Sequence, residues 1–204
     1  MERELCLYLS GSIRKGQEDH KKSFWSADDL STLKEKLLPI KAIFLNPALR
    51  SDDLSDFSST FGRDLLQVLC SDLVIVDARD RRGIGIGAEM AYAKINNIPV
   101  IAIAPRGTHY HRENFMFMNQ HLNTWVHPFV FGLSDQVVAS VEAAAEWIVS
   151  TYLSGTVSIK GPDCFNDAVM NYLSKQLEND HPMKELVSTH ESIREKVSKL
   201  LKVF

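Results

Sequence analysis

Cysteine is scarce in this chain, three among 204 residues, and Cys6, Cys70 and Cys164 lie far apart. That spacing offers neither a metal-ligand set nor an even disulfide framework. It predicts reduced thiols and a cytoplasmic protein. No surrounding pattern activates any of the three as a nucleophile. Long apolar runs are missing too, which argues against a membrane span. The N-terminus lacks a basic segment, an apolar stretch and a cleavage site in sequence, so no signal peptide is expected. An excess of charge of one sign is also absent. The formal net charge is -3, which speaks against a broad surface for nucleic-acid polymers. His109, His111 and His121 show no metal-ligand spacing, and no metal or cofactor is expected.

What is present is ordinary globular composition, 45% apolar and 24% charged. Leu5–Leu9 reads as a buried strand ending at the turn residues Ser10-Gly11-Ser12. Gln17 to Leu38 has apolar residues at helical intervals and stops at Pro39. Lys41–Leu45 reads as a second strand, Asn46 to Phe57 as loop, and Phe61 to Ser71 as an amphipathic helix. Leu73–Val76 is apolar on both faces, as a central parallel strand requires. The Gly-rich stretch Gly83-Ile84-Gly85-Ile86-Gly87 reads as a turn before a helix over 88–96. Further along the chain, 98–104 is expected as strand, 114–122 as helix, 129–131 as a last short strand and 136–153 as helix.

Alternating strands and helices predict an α/β fold, a Rossmann/flavodoxin-like three-layer sandwich with a central parallel sheet of about five strands. The expected division is a catalytic domain over 1–153, a linker over 154–164 and a helical C-terminal extension over 165–204, with Pro182 separating two helices. Ligands of such folds bind outside the carboxyl ends of the strands. Gly11 to Gly16, Asp77 to Glu89 and Pro105 to Asn114 all fall there.

The glycines of the 83–87 stretch let a ligand approach the backbone, but the dinucleotide and Walker patterns are both absent. Glu89 follows among small and apolar residues. One reading is a helix-end acid stabilised by the macrodipole. The other is a carboxylate nucleophile for sugar C1′, where developing oxocarbenium character suits an anion. Asp64, Asp72 and Asp77 are the candidate partner acids.

The block Leu7-Tyr8-Leu9-Ser10-Gly11-Ser12-Ile13-Arg14-Lys15-Gly16-Gln17-Glu18-Asp19 closely resembles the opening of 2′-deoxynucleoside 5′-phosphate N-hydrolases, within the nucleoside 2-deoxyribosyltransferase family. Arg63-Asp64-Leu65, Ser71 to Asp77, and Gly85-Ile86-Gly87-Ala88-Glu89 match in the same order. The resemblance spans about residues 5–150 in outline. It implies Glu89 as nucleophile, Asp64 orienting it or assisting proton transfer, and Tyr8 holding the nucleophile or the sugar. It also implies Gly11, Ser12, Ile13, Arg14 and Gly16 around base and phosphate, with Asp77, Arg82, Gly83, Gly85 and Gly87 lining the site. Asn114-Phe115-Met116 resembles a segment that reaches the neighbouring subunit's site in the transferases, which implies a homodimer or higher homo-oligomer.

The sequence departs from both branches. The phosphate-binding Ser of the N-hydrolases is missing at Arg81-Arg82-Gly83, although Arg79, Arg81 and Arg82 bring positive charge suited to phosphate. The acid that holds a 5′-hydroxyl in the transferases is missing as well. The expected activity is hydrolysis of a (deoxy)nucleoside 5′-monophosphate to base and sugar phosphate. Base exchange and a non-catalytic nucleotide sensor stand as alternatives.

Overall fold

The computed structural model describes residues 4–13, 24–155 and 159–203. The chain divides into two compact units, Met1–Pro162 and Asp163–Phe204.

The first unit is built on a parallel sheet whose five strands are β1 (Glu4–Ser10), β2 (Lys41–Leu45), β3 (Leu73–Asp77), β4 (Val100–Ile103) and β7 (Gln136–Val138), in the order β2-β1-β3-β4-β7. A separate two-stranded antiparallel sheet pairs β5 (His111–Phe117) with β6 (Gln120–Val126). The helices are α1 (Ala27–Lys36), α2 (Phe57–Leu69), α3 (Ile84–Ile95), α4 (Pro128–Leu133) and α5 (Val141–Ser154). This is the three-layer α/β arrangement, with a core on each side of the sheet.

Side chains of a strand alternate between faces. Leu5, Leu7 and Leu9 of β1 therefore meet Leu33 of α1 and Ile148 of α5, together with Leu73, Ile75, Ile101 and Ile103. Tyr8 points the other way, into a core of Val68, Val74, Val76, Met90, Ala93, Val100 and Ala102. The layer against α2 and α3 is thus built from smaller strand residues. α1 and α2 lie on opposite faces, and β2 and β3 lie on opposite sides of β1. The crevice at the carboxyl ends of β1 and β3 is the switch point where such sheets take their ligands.

Several elements differ from the sequence reading. Among the described residues, 24–26 are not helical and α1 begins at Ala27. Ser26 caps it, accepting from Asp29 N while the Asp29 side chain accepts from Ser26 N. α2 starts at Phe57 because Asp56 caps Ser59 N. The Gly-rich stretch is not a turn. Gly83 is the N-cap of α3, and Gly85 and Gly87 lie inside its first turns. Glycine weakens a helix by about 1 kcal/mol per residue, but packing of Met90 and Ala93 into the core overrides that preference here.

Residues 114–122 form the β5–β6 hairpin rather than a helix. Met118 and Asn119 at its tip have φ of 46° and 64°, the left-handed pair that a two-residue hairpin turn requires. Residues 129–131 lie in α4, started by Pro128. The last parallel strand is instead Gln136–Val138, and Ser140 then caps α5. The 98–104 strand is confined to Val100–Ile103.

The second unit holds α6 (Cys164–Lys175), a 3-10 turn (Leu177–Asn179), α7 (His181–Thr189) and α8 (Glu191–Val203). Pro182 sits in the first turn of α7, where its missing N–H costs nothing, so three helices occupy this stretch rather than two. Tyr172 donates to Asp180 Oδ2 at 2.7 Å and Lys184 pairs with Glu178 at 2.6 Å. No described helix is long and apolar enough to cross a membrane.

Candidate active site

Three segments meet at the switch point: the end of β1, the first turns of α3 and the middle of α2. Between them lies a cleft of about 350 Å³ lined by Gly11, Ser12, Ile13, Asp64, Gly83, Gly85, Ile86 and Glu89. Seven of the expected site residues are therefore brought together there. Tyr8 stands directly behind, fully buried in the sheet. Arg14 and Gly16 lie outside the described residues.

Glu89 is the sixth residue of α3. The macrodipole acts mainly within the first turn, so it does not explain an acid at this position. Ser10, fully buried at the end of β1, donates its hydroxyl to Glu89 Oε2 at 2.5 Å. Tyr8 and Ser10 are two apart on one strand and share the face that looks at α3. Burial pushes the Glu89 carboxyl up to about 7. The hydrogen bonds of Ser10 and Tyr8 act to lower it, and the charge of Asp64 raises it further. The Tyr8 hydroxyl is buried without a partner at ordinary hydrogen-bond geometry, yet Glu89 is near enough to affect it. Burial, then the Glu89 charge and hydrogen bond, push the Tyr8 phenol well above its usual range. No cation pairs with Glu89 among the described residues.

Asp64 comes from α2 and lines the cleft. Arg50 Nη1 lies 3.4 Å and Arg63 Nη1 3.5 Å from its Oδ1. Arg50 is also held by Asp52 at 2.6 Å. The charge of Asp64 thus acts on Glu89 across the cleft and disfavours its ionised form.

Asp77 is placed differently from the expectation. It is fully buried at the end of β3, outside the cleft lining, and clamped by Arg79 Nε at 2.8 Å and Arg82 Nη2 at 2.6 Å. Burial works to raise its pKa. The Arg79 hydrogen bond and the charges of Arg82 and Arg79 outweigh burial and hold it below the usual carboxylate range. The Arg82 side chain is only 2% exposed and donates to Ser12 Oγ at 3.0 Å, while the Arg82 backbone N–H donates to the Tyr110 hydroxyl oxygen at 3.0 Å. Arg79 also grips Asp29 at 3.0 Å and lies 5.7 Å from the Trp25 ring centre. These arginines tie the loop after β3 to β1 and α1. Only Arg81 of the three expected phosphate ligands is exposed and unpaired among the described residues.

Asn114 and Met116 are carried on the exposed β5–β6 hairpin and line none of the cleft. Asn114, at φ 48°, drops out of the hairpin ladder.

Two further cavities flank the cleft. One, about 240 Å³, shares Gly11, Ser12 and Ile13 with it and adds Phe24, Trp25 and Asn46. The other, about 270 Å³, shares Gly83 and Ile86 and is walled by Val76, Gly87, Met90, Tyr110, His127, Phe129 and Leu133. His127 Nδ1 is buried without a partner, and burial lowers the imidazole pKa, favouring the neutral ring. Sequence reasoning missed Ser10, Trp25, Asn46, Tyr110 and His127. Ser10 alone had a readable signal, a hydroxyl two residues from Tyr8 on the same strand face. Among the described residues no cluster of three metal-ligating side chains occurs. Neither a scan of protein-family models nor a search of curated proteins found a match to this chain.

Proposed function

We propose that this protein cleaves the N-glycosidic bond of a nucleoside or nucleotide, with Glu89 attacking C1′. The observation that carries the reading is a desolvated carboxylate, without a cation partner among the described residues, held by a serine at the sheet's switch point and open to a cleft. A structural acid at such burial is ordinarily paired with a cation, as Asp77 is. A carboxylate that meets an oxocarbenium-like centre needs the opposite, a site in which the arriving positive character is its partner.

In the first step Glu89 bonds to C1′ as the C1′–N bond breaks, its electron pair leaving with the base, which takes up a proton from solvent water; the second step returns a proton to solvent. Water then hydrolyses the glycosyl ester and frees Glu89. Asp64 orients the attacking carboxylate and adds negative potential to the cleft. Tyr8 and Ser10 hold Glu89 from the sheet side. Because attack needs the ionised form, kcat/KM rises with pH through about 7.

Incubation with a panel of nucleosides and their 5′-monophosphates, followed by chromatography for free base, tests the proposal. Glu89→Gln is expected to lower base release at least about 1,000-fold. A second free base in the reaction separates hydrolysis from exchange, since only a deoxyribosyltransferase then forms a new nucleoside. No base from any member, or full activity in Glu89→Gln, overturns the reading.

A further inference from the structure

Resting on that reading, we infer that the substrate is a nucleoside carrying an uncharged, apolar group at its 5′ position. The base occupies the aromatic cavity beside Trp25, and the 5′ group occupies the apolar cavity on the other side of the first turn of α3.

Attack by Glu89 at C1′ fixes the sugar in the cleft. A nucleoside leaves that ring at two ends, through the base at C1′ and the 5′ carbon at C4′. The cleft likewise adjoins one cavity through Gly11, Ser12 and Ile13 and another through Gly83 and Ile86. The first offers the Phe24 and Trp25 rings and the Asn46 amide. Trp25 is held in place, its Nε1 donating to Ser10 O at 3.2 Å and its ring facing Arg79. A fixed ring wall with a polar side chain suits a flat heteroaromatic base.

The second cavity has apolar walls, and Arg82 is the only Lys or Arg side chain among its described lining residues. That guanidinium is already spent on Asp77 and Ser12. His127 adds an imidazole ring whose buried Nδ1 has no partner among the described residues. A phosphate buried here would find no uncommitted cation among the described lining residues, which is unfavourable, whereas an alkyl or alkylthio group gains by burial. Gly87 supports the same assignment. It lies within α3, where alanine would strengthen the helix, yet a Cβ added there meets no atom within 4 Å. Packing does not demand the glycine, and the bare backbone leaves the cavity open. The competing placement is a 5′-phosphate at the α3 N-terminus, whose N-cap Gly83 supplies no side chain.

The test is calorimetric binding to Glu89→Gln of 5′-alkylthio, 5′-hydroxyl and 5′-monophosphate forms of adenine, guanine, cytosine, uracil and thymine nucleosides. For the preferred base, the alkylthio form should bind at least about tenfold tighter than the other two. Gly87→Leu should fill the cavity and erase that preference while 5′-hydroxyl binding persists. Gly87→Ala, with a melting temperature at or above wild type, supplies a folded variant with a smaller loss. Phosphate binding as tight as alkylthio, or a preference that survives Gly87→Leu, overturns the inference and leaves glycosidase activity intact. Alkylthio preference without base release by the wild-type protein supports the cavity assignment and defeats the glycosidase reading instead. No binding by any member overturns the inference.

Discussion

Asp77, fully buried, and Glu89, half-buried, are carboxylates twelve residues apart on one connection, from the end of β3 into α3, and their surroundings push them in opposite directions. Asp77 has two guanidiniums within 2.8 Å, and its pKa is held down despite full burial. Glu89 has a serine hydroxyl, a tyrosine and the like charge of Asp64, and its pKa rises to about 7. Burial acts the same way on both, so the cations make the difference. Where the chain neutralises a buried acid, it obtains a rigid joint: the Arg79 and Arg82 side chains lace β3 to α1 and to Ser12. Glu89, with no cation partner among the described residues, is left a group whose ionisation costs free energy. The pair contrasts an acid neutralised by arginines with one that has no such partner among the described residues, and it can be broken from either side.

The largest effect expected is on the Asp77 side. Asp77→Asn removes one partner of a buried ion pair and strands Arg82, which has almost no access to water. A loss of about 3–5 kcal/mol in urea unfolding follows. Glu89→Gln, which strands no cation among the described residues, should not destabilise the fold at neutral pH. Comparable losses in the two variants would mean that the arginine clamp is not what distinguishes the sites.

Next in size is the pH dependence of stability. The folded pKa of Glu89 lies above its unfolded value near 4.5. Between those values the folded state holds the proton and the unfolded state does not. The Glu89 contribution is therefore fully present below about 4.5 and is lost as pH rises through about 7. The span is on the order of 3 kcal/mol. Glu89→Gln should remove that component, so that its stability curve crosses the wild-type curve and lies above it at pH 8. Parallel curves would show that Glu89 carries no such cost.

Much of this frame was legible in the sequence. β1 and β3 announce themselves because both faces of each are apolar, and only a covered parallel sheet buries such strands. The cleft residues Gly11, Ser12, Ile13, Asp64 and Glu89 were readable as blocks in order. The rest failed for identifiable reasons. Gly83, Gly85 and Gly87 signal a turn by local propensity, and only the packing of the helix they begin reverses it. The β5–β6 hairpin hides its turn in Met118-Asn119, without the glycine that usually marks such a site. Arg82 reads as a phosphate ligand until the fold closes it onto Asp77. Ser10 and Glu89 are 79 positions apart, and no local pattern states that contact.

The smallest expected effect is also the finest test of why Glu89 differs from Asp77. Ser10 and Asp64 act on its carboxyl with opposite sign: the serine hydrogen bond favours the ionised form and the aspartate charge opposes it. Ser10→Ala should move the Glu89 pKa above its starting value near 7, and Asp64→Asn should move it below. Each shift is expected to be about one pH unit or less, about 1 kcal/mol. Carboxyl carbon NMR titration reads both without a substrate. If Glu89 is the nucleophile, the acidic limb of kcat/KM follows: to higher pH with Ser10→Ala, which slows the reaction at pH 7, and to lower pH with Asp64→Asn. A hydroxyl that merely filled space would lower stability in Ser10→Ala and leave the titration where it was. Ser10→Thr, which restores a donor on the same strand face, should bring the pKa back toward wild type. A Glu89 titration unmoved by all three substitutions would leave burial alone as its cause and remove Ser10 from the account of the site.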